Sequence, residues 1–210
     1  MDSMRILSLD MSSKTGWAFI ISSDEGCALV ESGIIQKSSE PAGQYPSNYV
    51  DWAYQVFGEI EALIGRFNPD ALVIEETVAG SKQVYSQKIL EWIHFLVAKF
   101  IKMSGIKAIY LLTGSWRSEV GCIMTKTERN RNKEVREQKK AKEKETGVKP
   151  MAAYDINGKR IGLINKKHVN IRRANEVFEK FLKKPLQKKD EDEADAMLLA
   201  YCYHLRRTKI

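Results

Sequence analysis

Four acidic side chains are spaced so that they could share one chemical task. Asp192 and Asp195 stand three apart at the start of a C-terminal helical stretch, about 60° apart around a helix, so both carboxylates can address one point. Asp10 closes a short run containing Ile6, Leu7 and Leu9, and Glu75 closes another at 71–74, with Glu76 beside it. Taken singly, each has an ordinary explanation: acids in a first helical turn are favoured by the helix dipole, and an acid ending a strand commonly opens a turn. Asp195 departs from that pattern because it flanks the apolar stripe of Leu198 and Leu199, and an acid at a core boundary needs a partner. Two carboxylates about 5 Å apart repel by roughly 3 kcal/mol at an effective dielectric of about 20, so a cluster of three or four calls for cations. Mg²⁺ or Mn²⁺ is the natural counter-charge. These ions take oxygen ligands, and two of them roughly 3.5–4 Å apart can activate a water and stabilise a leaving alkoxide. That is phosphodiester hydrolysis chemistry.

For the acids to meet, the intervening elements must bring positions 10, 75 and 192–195 to one edge. Stretches 4–10, 15–22 and 27–36 are β-like and separated by turn candidates at 12–14 and 23–26, which predicts an antiparallel meander. Tyr49, Trp52, Val56, Ile60, Leu63, Ile64 and Phe67 recur at helical steps, and Asn68-Pro69-Asp70 ends that helix. A buried strand at 71–74, a long helix at about 82–103 closed by Ser104-Gly105, and a fifth strand at 106–112 follow. Two further stripes, Ile171, Ala174, Val177, Phe178, Phe181 and Leu182, then Ala194, Leu198, Tyr201 and Leu205, predict a final helical pair. This order predicts an α/β fold, a mixed five-stranded sheet flanked by helices. Its first and fourth strands can pair in parallel because a helix supplies the crossover, and ligands of open sheets collect at the carboxyl ends of strands, where Asp10 and Glu75 fall.

The 210 residues, 43% hydrophobic and 29% charged, suit a soluble globular chain organised as one domain over 1–210. The longest apolar run, 196–205, is far below the roughly 20 residues of a membrane-spanning helix. Asp10 and Lys14 interrupt any export signal, so a cytoplasmic location and no membrane partner are expected. Cys27, Cys122 and Cys202 are odd in number and far apart, which speaks against a disulfide framework or a zinc site. A net charge of +7 favours a polyanionic partner. Part of that charge lies at about 125–150, where seven Lys and three Arg face five Glu; Val135, Ala141 and Val148 are almost its only apolar residues. The segment reads as either a solvated helix or a mobile basic insertion. Lys82, Arg117, Lys166, Lys167, Arg172 and Arg173 surround the proposed site and are candidate phosphate contacts, with ordinary surface solvation as the alternative. Trp116 reads as core. The long helix carries Tyr85, Trp92 and Phe95 beyond what one core stripe needs, so it is the expected dimer interface.

Ile6-Leu7-Ser8-Leu9-Asp10, Thr15-Gly16-Trp17-Ala18, Val73-Ile74-Glu75-Glu76 and Asp192-Glu193-Ala194-Asp195-Ala196 together resemble the RuvC-like Holliday junction resolvases of the RNase H-like superfamily, particularly the phage-type branch. The resemblance covers about 5–112 and 166–203. It implies an RNase H-like fold, a homodimer, branched four-way DNA as partner, and two Mg²⁺ ions, replaceable by Mn²⁺, held by Asp10, Glu75, Asp192 and Asp195. It further implies Asp10 bridging both ions, Glu75 and Asp192 completing the pair, and Asp195 holding an ion or orienting the attacking water. Phage origin, with action in the host cytoplasm, would follow. The sequence departs from the family where Met11-Ser12 replaces the common Pro-Gly, where Glu76 replaces a common Gln and so competes with Glu75 as ligand, and at 125–150, which has no clear counterpart. An RNase H-type nuclease cutting RNA–DNA hybrid would use the same carboxylates, and a non-catalytic junction-binding module would use them structurally.

Overall fold

Alternating side chains build the sheet that carries the site. In the computed structural model, which describes residues 3–12, 14–36, 43–76, 84–148, 150–154 and 157–209 (84–86 by backbone alone), β1 (Met4–Asp10), β2 (Lys14–Ser23) and β3 (Gly26–Gln36) form the expected meander. β4 (Ala71–Glu76) and β5 (Lys107–Leu112) complete a mixed five-stranded sheet of order β3-β2-β1-β4-β5, with β1, β4 and β5 parallel. Leu7, Leu9, Leu72 and Ile74 point to one face, covered by α1 (Ser47–Phe67) and α2 (Val84–Ser104). Ile6, Ala71 and Val73 point to the other, covered by α3 (Thr113–Glu119), α5 (Lys166–Phe178) and α6 (Glu191–Thr208). Because strand side chains alternate, Asp10 and Glu75 belong to this second face.

The parallel register is fixed at the far end of the strands. Asn68 ends α1 in a left-handed conformation (φ 43°), its N–H reaching the Ile64 carbonyl at 2.8 Å, and Pro69 prevents the helix from continuing. The next residue, Asp70, accepts from Arg5 N and Nη2, each at 2.7 Å, and returns its own N–H to the Arg5 carbonyl at 2.8 Å. These bonds lock the start of β4 against β1. Leu9 therefore stands opposite Ile74, and Asp10 and Glu75 leave the sheet at the same level.

α6 lies directly on β1 and β2. Ala194, Ala196, Met197, Leu198, Leu199 and Ala200 are fully buried, so the helix is enclosed on more sides than its single predicted stripe required. Part of the cover comes from α5, whose Phe178 meets Tyr201 edge-on with ring centroids 6.0 Å apart. The buried Ser8 hydroxyl donates to the Ala196 carbonyl at 2.6 Å, tying the middle of β1 to the helix backbone. At Gly16 the approach is closer still: a Cβ there would stand 1.9 Å from the Asp192 carbonyl oxygen. Only glycine permits this contact between β2 and the first turn of α6.

Of the two readings of the basic segment, the structure takes the helix: α4 (Lys126–Thr146). Thr125 and Glu128 form a reciprocal capping box at its start, and Gly147 closes it with φ 68°. It needs no apolar stripe because it is held at a few points. Val135 and Asn132 are buried, and Asn132 both donates to the Ile164 carbonyl (2.8 Å) and accepts from the Ile164 N–H (2.7 Å). A hairpin of β6 (Ala153–Tyr154) and β7 (Arg160–Ile161) follows; neither it nor α3 is long enough to show a period in the sequence. Among the described residues, no helix is long and apolar enough to cross a membrane.

The packing makes Gly16→Ala a sensitive probe. The added methyl meets backbone that cannot rotate away, so the variant should lose about 1–3 kcal/mol in denaturant unfolding. An unchanged midpoint would contradict the contact between β2 and α6.

Candidate active site

Strand parity and the start of α6 bring the four predicted acids together. Glu75 joins them and Glu76 does not, since neighbouring strand residues face opposite ways and Glu76 is exposed. The Glu75, Asp192 and Asp195 side chains retain 16%, 20% and 13% of their exposure, enough to be reached from solvent. Glu75 Oε1 accepts from Trp116 Nε1 at 2.9 Å, so the tryptophan, fully buried as expected, also orients a carboxylate. Asp195 is held from two sides, by Asn170 Nδ2 at 2.7 Å and by Arg117 Nη2 at 2.8 Å. The same Arg117 Nη2 lies 3.8 Å from Glu75, and its guanidinium rests on the Trp116 ring at 4.7 Å. Lys14 Nζ stands 3.7 Å from Asp192 and donates to the Lys189 carbonyl at 3.1 Å.

This environment opposes ionisation. Burial, followed by repulsion from Asp195 and Glu75, holds the Asp10 carboxyl well above the ordinary range near 3.8. Burial raises Asp192 and Asp195 as well, although Lys14 and Arg117 respectively pull the other way. Lys14, Lys167 and Arg117 thus offset only part of the clustered negative charge.

The cationic candidates divide. Arg117 stands inside the cluster. Lys167 pairs with Glu191 at the start of α6, Lys166 is exposed at the start of α5, and Lys82 lies outside the described residues. Arg172 and Arg173, candidate phosphate contacts, are engaged within the fold. Arg172 bonds Glu176 (2.7 Å), Glu128 (3.1 Å) and the Ile123 carbonyl (3.0 Å), and Arg173 bonds the Val120 carbonyl (2.6 Å), so together they brace α5 against α4 and the end of α3. Around α5, Arg172 is about 200° from Asn170, which faces the acids. Lys14, Asn170 and the Trp116 indole escaped the sequence reading. Lys14 carried a faint signal, a cation four residues after Asp10, whereas Asn170 carried none.

The donor set suits a hard divalent cation, being oxygen throughout, negative and partly desolvated. Asn170 Oδ1, buried beside Asp195, and the Arg117 Nε–H lack a partner among the described residues, so the site has unused polar capacity. Among those residues no three acidic, imidazole or thiol groups already close around a single point. With Arg117 between Asp195 and Glu75, closing on an ion requires that guanidinium to give way.

The charge imbalance has a pH signature. The Asp10 pKa is higher folded than unfolded, so the folded chain keeps this proton longer and loses stability as pH rises from about 4 through the folded value. Asp10→Asn has no charge to desolvate. Without divalent cations its melting temperature should exceed that of the unaltered protein, by a margin widening from about pH 4 to about pH 7. A margin independent of pH would contradict the raised carboxyl.

No protein-family model matches the sequence, and no curated protein matches it. Solved structures do. RuvC of Thermus thermophilus in complex with Holliday junction substrate is 12% identical with a TM-score of 0.62, covering 97% of this chain and 96% of that one. A second structure of T. thermophilus RuvC is 13% identical with a TM-score of 0.61, covering 98% and 97%. The yeast mitochondrial Holliday junction resolvase is 15% identical with a TM-score of 0.50, covering 98% and 80%. Over nearly its whole length, this chain has the RNase H-like fold of RuvC.

Proposed function

We propose that the protein is a metal-dependent endonuclease that resolves four-way DNA junctions by paired nicks, working as one RNase H-like domain in which α4 is an insertion. One observation carries this reading: four carboxylates meet where β1 and β4 end, on a fold whose T. thermophilus example is in complex with Holliday junction substrate. Asp10, Glu75, Asp192 and Asp195 would hold two divalent ions, which supply an activated water and charge stabilisation for the leaving 3′-oxygen. Trp116 orients Glu75, and Asn170 and Arg117 orient Asp195 through one oxygen each. Arg117 and Lys14 hold positive charge against the acids and can transfer it to a phosphate. Products would carry 5′-phosphate and 3′-hydroxyl ends. The phage-type resemblance adds action in a host cytoplasm.

Paired cuts need two sites, hence a homodimer. α1 and α2 offer a surface for it, a groove of about 200 Å³ among Val50, Ala53, Tyr54, Trp92, Phe95 and Leu96. Phe95 is 66% exposed and Tyr54 55%. The Tyr85 side chain lies outside the described residues.

In a cleavage assay with Mg²⁺, labelled four-way junction should be nicked symmetrically while linear duplex and RNA–DNA hybrid stay intact. Asp10→Asn should bind the junction and leave it uncut. Cutting of the hybrid alone would transfer the site to an RNase H-type substrate, and cutting of nothing would leave the acids structural. Phe95→Glu should sediment as a monomer and lose the pairing of the nicks; an unchanged dimer would place the interface elsewhere.

A further inference from the structure

The strongest unexplained feature outside the acidic cluster is α4. Its 21 residues are almost entirely polar and mostly exposed, yet it is firmly held. Beyond the Asn132 clamp on Ile164, Lys139 Nζ donates to the Met151 carbonyl at 3.1 Å, and Gln138 accepts the Tyr154 N–H at 3.1 Å. Glu128 reaches Arg172 of α5. These contacts lie on one side of the helix, the side of Val135, and they fix which side faces outward.

The outward side is not a random mixture of charge. At about 100° per residue, Lys126, Arg129, Lys133, Arg136, Lys140 and Lys144 fall within about 80° of one another, a single edge running about 27 Å along the helix. All six are exposed. Among the described residues only Lys133 has an ion-pair partner on this edge, Glu137 at 3.9 Å, and both of those side chains are more than two-thirds solvent-exposed. Like charges three and four apart weaken a helix, so a merely solvated helix would do better with the two signs interleaved. A pinned row of cations complements the phosphates that a duplex presents along one side.

We propose that α4 docks on the phosphate backbone of a duplex DNA arm, its cationic edge spanning about 8 base pairs at about 3.4 Å each. The surface reads no sequence, since lysine and arginine on phosphate fix position rather than specificity. It supplies affinity and arm-length preference to the proposed nuclease, on which reading the identity of the DNA rests.

The test uses the full chain, without divalent cations, in which Lys133, Arg136, Lys140 and Lys144 are each changed to Gln, a residue of similar helix propensity. Binding of a labelled four-way junction is followed from 50 to 300 mM salt, with arms of either 20 or 5 base pairs. With about 0.9 counterions released per phosphate contact, the slope of log Kd against log salt should fall by about 3–4 for the long arms and by clearly less for the short ones. Lys140→Gln alone should lower it by about 1, which keeps the test decisive if the fourfold variant folds poorly. Equal slopes for unaltered and variant proteins would overturn the proposal, as would cation-dependent binding to anionic vesicles with no change toward DNA. Junction nicking with an unchanged slope would remove the docking edge alone. A reduced slope in a protein that cuts nothing would uphold the edge and remove the nuclease reading.

Discussion

The site depends on how closely the first turn of α6 can approach the sheet. Gly16 leaves room for the Asp192 backbone where any Cβ would collide, and Ser8 bonds the Ala196 carbonyl one turn further along. The alanines at 194, 196 and 200 let the rest of the helix settle at the same depth. With α6 this low, Asp192 and Asp195 come down beside Asp10 and Glu75, which the Arg5–Asp70 clamp has already brought level. The helix also presents its amino end, so Glu191, Asp192 and Glu193 sit in the favourable field of its dipole. Ser32 on β3 adds a 2.6 Å hydrogen bond to Glu193 that helps hold this end in place.

That geometry sets the site acids against the stability of the fold. Acids elsewhere behave as structural groups do: hydrogen bonds from Arg5 and Arg206 hold Asp70 and Glu119 below the ordinary carboxylate range, so these pairs favour the folded state above acid pH. At Asp10, Asp192 and Asp195 the shift has the opposite sign, and burial is its first cause in each. Three acids are thus placed where ionisation is opposed, and Arg117, Lys14 and Lys167 pull the other way. Within one chain, the buried acids at the end of β1 and the start of α6 and the arginine-paired acids Asp70 and Glu119 shift in opposite directions.

Much of this was readable in the sequence because it rests on period and punctuation. The short apolar runs before Asp10 and Glu75, the Asn68-Pro69 stop and the three-residue spacing of Asp192 and Asp195 are local signals, and the parallel pairing of the first and fourth strands follows from chain order. Glu75 and Glu76 could not be separated until strand parity was fixed. Asn170, hidden beside the Ile171 stripe, and the Trp116 bond to Glu75 are products of packing between elements distant in sequence, so no local pattern announces them. Arg172 and Arg173 differ from their letters for the same reason: as bare letters they are free cations, while in the fold Glu128, Glu176 and two carbonyls engage them. At α4, composition left open helix or mobile segment. The Thr125 capping box and the Asn132 clasp on Ile164 that settle it for the helix are contacts of the folded chain.

The central claim is that the four carboxylates form one divalent-cation site. Anomalous diffraction from crystals grown with Mn²⁺ tests it most directly. The account predicts peaks contacted by oxygens of Asp10, Glu75, Asp192 and Asp195, with Arg117 displaced from Asp195. Peaks elsewhere, or none while Arg117 stays on Asp195 and Glu75, would contradict it.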